Sequence, residues 1–196
     1  MAAVAGAAGE VDPRVERSRR VILTAALDLL GELGYGGLTV EAVAARAGVG
    51  KSTVYRHWPG KLELVEDAIR NLKAPLVPGA GGPARDRVVD LLTQMAAQLA
   101  ASTWSSCLPA IIEAAERDPE VLAIHRRLCD ERRQVLVDLL AEGAAAGEFD
   151  GGPDLVQLAE YLVGPILSRR LLLREPFDPA GVPALVDRLL PPRPAP

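Results

Sequence analysis

Between Thr39 and Lys61 the chain gathers a run of side chains able to donate hydrogen bonds, among them Thr39, Lys51, Ser52, Thr53, Tyr55, Arg56, His57 and Lys61. No acidic residue falls between Ala42 and Leu62, although the whole chain has a net charge of -4. Cations of this kind neutralise phosphates, and hydroxyl, amine and guanidinium groups donate to base edges. The chemistry on offer is recognition of a nucleic acid. A chain this acidic does not coat nucleic acid indiscriminately, so the basic island must act as a placed surface.

Placement falls to short helices. Thr39 is a suitable N-cap for a helix to about Ala47, and Gly48 suits a tight turn needing positive φ. A second short helix follows over Lys51–His57, before Pro59-Gly60. Val43, Val49 and Val54 supply the apolar contacts between the two, with Ala44 small where they cross. This is a helix-turn-helix pattern: one helix for the major groove, its partner across the backbone. Lys61 opens a further helix to about Lys73, where its ammonium and free backbone N–H groups suit a phosphate. Upstream, Ile22, Ala25, Ala26, Leu29, Leu30 and Leu33 mark an amphipathic helix from Arg14, ended by Gly34, Gly36 and Gly37.

Residues 14–73 resemble the N-terminal domain of the TetR/AcrR family of bacterial regulators. The resemblance rests on Arg20-Val-Ile-Leu-Thr-Ala-Ala, on Leu33 through Val49, and most specifically on Ser52-Thr-Val-Tyr-Arg-His-Trp-Pro-Gly-Lys. Trp58 stands where the family more often has Phe, and Gly50 where many members have a polar residue. The resemblance implies an all-α homodimer of about nine helices per subunit. Three form a DNA-binding head, and the rest form a ligand-binding and dimerisation body. It implies that the last two long helices, about 153–173 and 179–190, pair across the dimer. It further implies a repressor that binds a palindromic double-stranded operator and is released by a small molecule.

The rest of the chain is consistent with an all-α body but far less specific. Residues 1–13 are expected as a disordered arm, 14–74 as the head, 75–191 as the body and 192–196 as a tail. The boundary lies in 75–83, which holds three prolines and three glycines. Residues 1–74 carry ten Lys/Arg against nine Asp/Glu, whereas 75–196 carry twelve against seventeen, so the acidity belongs to the body. Helices are expected over Arg85–Ala101, Ser105–Glu116, and from Asp118-Pro119 to about Ala145. Another runs from Gly151–Asp154 to Leu173 with a kink near Tyr161–Pro165, and the last is opened by Asp178-Pro179.

Met95, Leu99, Trp104, Cys107, Leu108, Ile111, His125, Leu128, Tyr161 and Leu162 are the candidates to line a cavity between these helices. For any one of them, ordinary core packing is the competing reading. Arg126, Arg127, Arg132 and Arg133 read as a solvated face, with contact to an anionic ligand as the lesser alternative. His125 and Cys129, four apart, are two ligands at most and no metal site. Cys107 and Cys129 form no CxxC motif and read as reduced thiols. No nucleophile motif, phosphate-binding glycine loop or metal cluster supports catalysis, and no cofactor is expected. No apolar run approaches the ~18–20 residues of a membrane span, and the N-terminus lacks a secretory pattern, so a cytoplasmic protein is expected. The main competing function is a helical interaction or ligand-sequestering module whose helix-turn-helix no longer serves DNA.

Overall fold

The computed structural model describes residues 13–72, 76–101 and 103–191, with no strand among them. Helix α1 (Pro13–Gly37) buries Ile22, Leu23, Ala26, Leu29 and Leu30 along one side. Its regular turn is broken at Gly34, where φ is 70° and ψ 173°. The expected glycine stop falls at that residue, and one more turn to Gly37 leads into the next helix. Helices α2 (Val40–Ala47), α3 (Lys51–His57) and α4 (Lys61–Leu72) complete the head. Lys73 and Ala74, at the expected end of α4, lie outside the described residues, as do Met1–Asp12 and residues 192–196.

The body follows as α5 (Ala84–Ala101), α6 (Thr103–Ala115), α7 (Pro119–Ala145), α8 (Leu155–Ser168) and α9 (Val182–Leu189). Local chemistry sets two of these starts. Asp118 accepts from Glu120 N at 2.9 Å with Pro119 behind it, and Asp154 accepts from Gln157 N at 3.0 Å. Each cap satisfies helix-start N–H groups that would otherwise lack partners. α7 packs against α5, α6 and α8, and α9 lies on α5 and α8.

Two expectations near the C-terminus need correction. The α-helix passes through Pro165 to Ser168, and the departure from α geometry comes at Arg169–Leu173, a single π-helical stretch. It closes on Arg174, which takes a left-handed φ of 58°, and Glu175 N donates to Arg169 O at 3.0 Å. The last helix is two pieces, a 3₁₀ turn Pro179–Gly181 capped by Asp178 and then α9. The short first turn lets α9 present Val182, Val186 and Leu190 inward, all fully buried.

One apolar core runs through head and body. α1 is the shared element, packed on α4 within the head and on α6 of the body. The Cys107 thiol of α6 donates to the Leu27 carbonyl of α1 at 3.0 Å, and Gly31 keeps that crossing close. Head position is therefore coupled to body packing through buried residues.

Candidate nucleic-acid interface and ligand cavity

The turn between α2 and α3 is built as its residues require. Thr39 Oγ accepts from Ala42 N at 3.1 Å, which starts α2. Gly48 ends it with φ 67° and ψ 30°, a left-handed conformation where a Cβ would be strained. The N–H of Val49 then returns to Ala44 O at 3.0 Å. Val54 is the fully buried anchor of α3, with Val43 and Ala44 buried opposite on α2. Because Val54 faces inward, Lys51, Ser52, Tyr55 and Arg56 are all exposed, while Thr53 and His57 are half-buried. At 46 % exposure Tyr55 is a large aromatic held in solvent, a cost that an outside partner would remove.

Asp67 of α4 holds this surface in place. It accepts from Arg19 of α1 at 2.6 Å and from the Trp58 indole N–H at 2.8 Å. Asn71 bonds to the same carboxylate. One half-buried carboxylate thus ties α1, the end of α3 and α4 together. Trp58 is 4 % exposed, so its ring fills core while its polar edge is satisfied. The His57 ring packs beside it, with centroids 5.3 Å apart.

Two of the expected DNA-facing cations have intramolecular partners. Lys61 donates to Tyr35 O at 2.9 Å and lies 4.1 Å from the centre of the Tyr35 ring. That engages one of its three donors. Lys51 pairs with Glu41 at 3.3 Å across exposed surface, and a backbone N–H bond at the helix start, followed by the bond from Lys51, lowers the Glu41 carboxyl pKa. Such an exposed pair is weak and easily exchanged for a phosphate. Arg46 is engaged by Glu32 through two bonds of 2.9 and 2.7 Å. Neither Asp67 nor Glu41 stood out in the sequence. The only sign was their placement, in helix turns adjoining a basic segment.

In the body, α5, α7 and α8 stand around a cavity of about 410 Å³. That is within the usual range for small-molecule sites. Leu91, Leu92, Met95, Leu99, Leu108 and Leu136 give it an apolar wall, completed by Leu76, Ile112, Ala159, Val163, Gly164, Leu167 and Leu171. Its polar residues are Gln98, His125, Cys129, Arg132, Arg133 and Glu160. A second, much smaller cavity of about 40 Å³ lies between α7 and the head, lined by Tyr35, Leu62, Glu66, Ile111 and Leu128 among others. Leu108, His125, Cys129 and Arg132 line both.

The expected lining residues divide accordingly. Met95, Leu99, Leu108 and His125 reach the large cavity, whereas Ile111 and Leu128 reach the small one. Leu162 and Cys107 are fully buried and pack in the core. Tyr161 points outward at 54 % exposure, because it follows the buried Ala159 by two positions on α8. The side chain of Trp104 lies outside the described residues. The arginine expectation also changes. Arg126 and Arg127 are exposed, but Arg132 and Arg133 are half-buried against the cavity.

Burial sets the chemistry of this wall. It pushes the His125 pKa below 6.5, keeping the imidazole neutral near pH 7, and pushes the Cys129 thiol up. The two side chains approach to 3.7 Å. Burial and the neighbouring Arg70 charge lower Arg132 to about 10, still fully charged near neutrality. No group of three or more metal-ligating side chains occurs among the described residues.

An exposed donor face on a short helix after a left-handed glycine turn, joined to a helical body with an apolar cavity, defines a helix-turn-helix regulator. Comparison with known proteins agrees. Residues 22–68 match the family described as bacterial regulatory proteins, tetR family, and residues 78–189 match the tetracyclin repressor-like C-terminal domain. An HTH-type transcriptional regulator of Mycobacterium tuberculosis, Rv1556, is 32 % identical over 174 residues, spanning 86 % of this chain and 84 % of its own. A DNA-binding transcriptional repressor TetR of Mycobacteroides abscessus is 30 % identical over 181 residues, 90 % and 94 % of the two chains. Among solved structures, a TetR-family regulator from Rhodococcus sp. superposes with a TM-score of 0.74 at 21 % identity, covering 88 % of this chain and 98 % of that one. The chain belongs to the TetR family and is a transcriptional regulator, not an enzyme. No helix among its described residues is long and apolar enough to cross a membrane.

Proposed function

We propose that the protein is a ligand-released repressor that binds a palindromic operator as a homodimer. The observation that carries this is α3, where Val54 is the buried anchor and Lys51, Ser52, Tyr55 and Arg56 face solvent. In this reading residues 14–74 are the head and 75–191 the body. α3 enters the major groove, and Lys51, Ser52 and Thr53 near its N-terminus read base edges. Tyr55, Arg56, His57, Thr39 and Lys61 hold phosphates. Thr39 keeps its hydroxyl proton for this, since its oxygen is the cap acceptor.

The dimer forms through 153–173 and 179–190. Its support is the apolar surface left uncovered there: Val156 and Tyr161 on α8, with Leu172 at 79 % and Leu173 at 58 % exposure beyond it. Patches of that kind mark interaction sites. The ligand occupies the 410 Å³ cavity and favours a head spacing that no longer fits successive grooves. Release requires the ligand to bind the two head arrangements with different affinity. A cytoplasmic location is part of the same proposal.

The test is fluorescence anisotropy of the full-length protein on its upstream intergenic DNA, across a salt series, with random DNA as control. Specific, salt-dependent binding of one dimer per palindrome is the expected result. Lys61→Ala should lower the salt slope by about one unit, and Tyr55→Phe should weaken binding across all sequences. Equal weak binding to both DNAs, repeated after selection from a random operator pool, would leave the interaction-module reading standing instead.

A further inference from the structure

α7 runs along both cavities. Toward its N-terminal end Val121, Ile124 and Leu128 face the small one, and further on Arg133 and Leu136 face the large one. His125, Cys129 and Arg132, with Leu108 of α6, line both, so a single layer of side chains separates the two spaces. From Val121 to Leu136 the lined path is about 22 Å long at 1.5 Å per residue of helix. The far wall of the small cavity belongs to the head, where Leu62, Val65, Glu66 and Ile69 recur at helical spacing on α4. Glu66 is bonded by Arg70 at 3.4 Å and by Arg127, and Arg70 bonds Glu131 at 2.7 Å. Ion pairs between α4 and α7 therefore close the solvent side of this void. An empty space among packed apolar side chains forfeits dispersion contacts, and methylene groups entering it restore them.

We infer that the protein takes an elongated ligand with an unbranched apolar tail. Its body sits in the large cavity against Leu91, Leu99 and Leu167, and its tail passes between Leu108 and His125 into the small void. There the tail meets Val65 and Ile69, both buried residues of the head. A compact molecule of the same carbon number is confined to the large cavity and leaves α4 untouched. Each methylene seated in the void adds about a fourfold gain in affinity. This inference rests on reading the large cavity as the ligand site.

The test uses Nile red, a neutral apolar dye, bound to the purified full-length protein and displaced by primary alcohols from 1-hexanol to 1-tetradecanol. Cyclododecanol is the compact counterpart of 1-dodecanol. Leu128→Phe and Ile69→Phe fill the void from α7 and from α4. In each, 1-dodecanol should weaken about tenfold or more, the worth of two methylenes or so, while 1-hexanol and cyclododecanol keep their affinities. Ile111→Ala enlarges the void and should tighten only the long alcohols. Where one filling variant does not fold by circular dichroism, the other and Ile111→Ala give the reading. No displacement by any alcohol, or a 1-dodecanol affinity that ignores these variants or falls together with that of cyclododecanol, would overturn the tail. The large cavity is read separately, with Val163→Trp and Gly164→Leu, the latter having open space at its Cβ position. Loss of dye binding in either keeps the large cavity as the ligand site whatever the tail does, whereas unchanged binding in both removes the cavity and the tail together.

Discussion

In the head, Val43, Val54, Trp58 and Leu64 fill the space between short helices, and Asp67 fastens three segments with side-chain bonds. In the body, longer helices stand apart around 410 Å³ of space, bounded by leucines on most sides and by arginines on one. On the proposed function the two regions answer different physical demands. A surface that reads base edges has to hold its donors at fixed positions, since a bond out of geometry by an ångström is largely lost. A ligand site needs unfilled volume, and its helices give up some packing to keep it. α1 belongs to both regions, so strain in the looser one is felt by the tighter one.

The contrast is broken most directly in the head. Trp58→Ala removes a buried ring and the Asp67 bond together and should cost about 3–5 kcal/mol of stability by denaturant unfolding. Operator binding should fall with it. A small loss would mean that the head is less closely packed than its burial suggests. In the body, Gly143→Ala would press a methyl group into the Phe149 ring and against the Ala84 Cβ at 3.1 Å. A cost of about 1–3 kcal/mol in denaturant unfolding is expected, because α5 and α7 meet there. Full tolerance would show that the body yields where the head does not.

Smaller effects sharpen the comparison. Gly48→Ala forces a side chain into the left-handed region and should cost roughly 1–2 kcal/mol, seen as a lower unfolding midpoint and weaker operator binding. The smallest concerns His125. Its folded pKa lies below 6.5, so the unfolded chain binds its proton more readily. Stability from this group is fully present above about pH 6.5 and declines as the pH falls toward the folded value. His125→Gln should flatten that part of the pH profile of the unfolding midpoint. An unchanged profile would place the titration elsewhere.

Much of the head was legible because its determinants are local. The N-cap Thr39, the turn at Gly48 and the glycine stop of α1 each depend on a few neighbouring residues and were placed from the sequence, as was the cap Asp118 in the body. Arg132 was misplaced on a solvated face, yet a signal was available. His125, Cys129, Arg132 and Leu136 recur at spacings of four, three and four, which sets the arginine on the buried stripe of α7. Tyr161 was placed in the cavity because its helix is apolar nearly all round. Composition could not say which side of α8 meets α7.

Order along each helix, the caps and the exposed donor face of α3 were therefore settled by the sequence itself, since 3.6-residue periodicity and backbone donor satisfaction act over a single turn. The Asp67 bonds joining residues up to 48 positions apart, the rotation of α7 that brings Arg132 inward, and the π-helical end of α8 were decided only in the folded chain. Each depends on how one helix is rolled against another. That roll is fixed by the packing of residues distant in sequence, which no local pattern records.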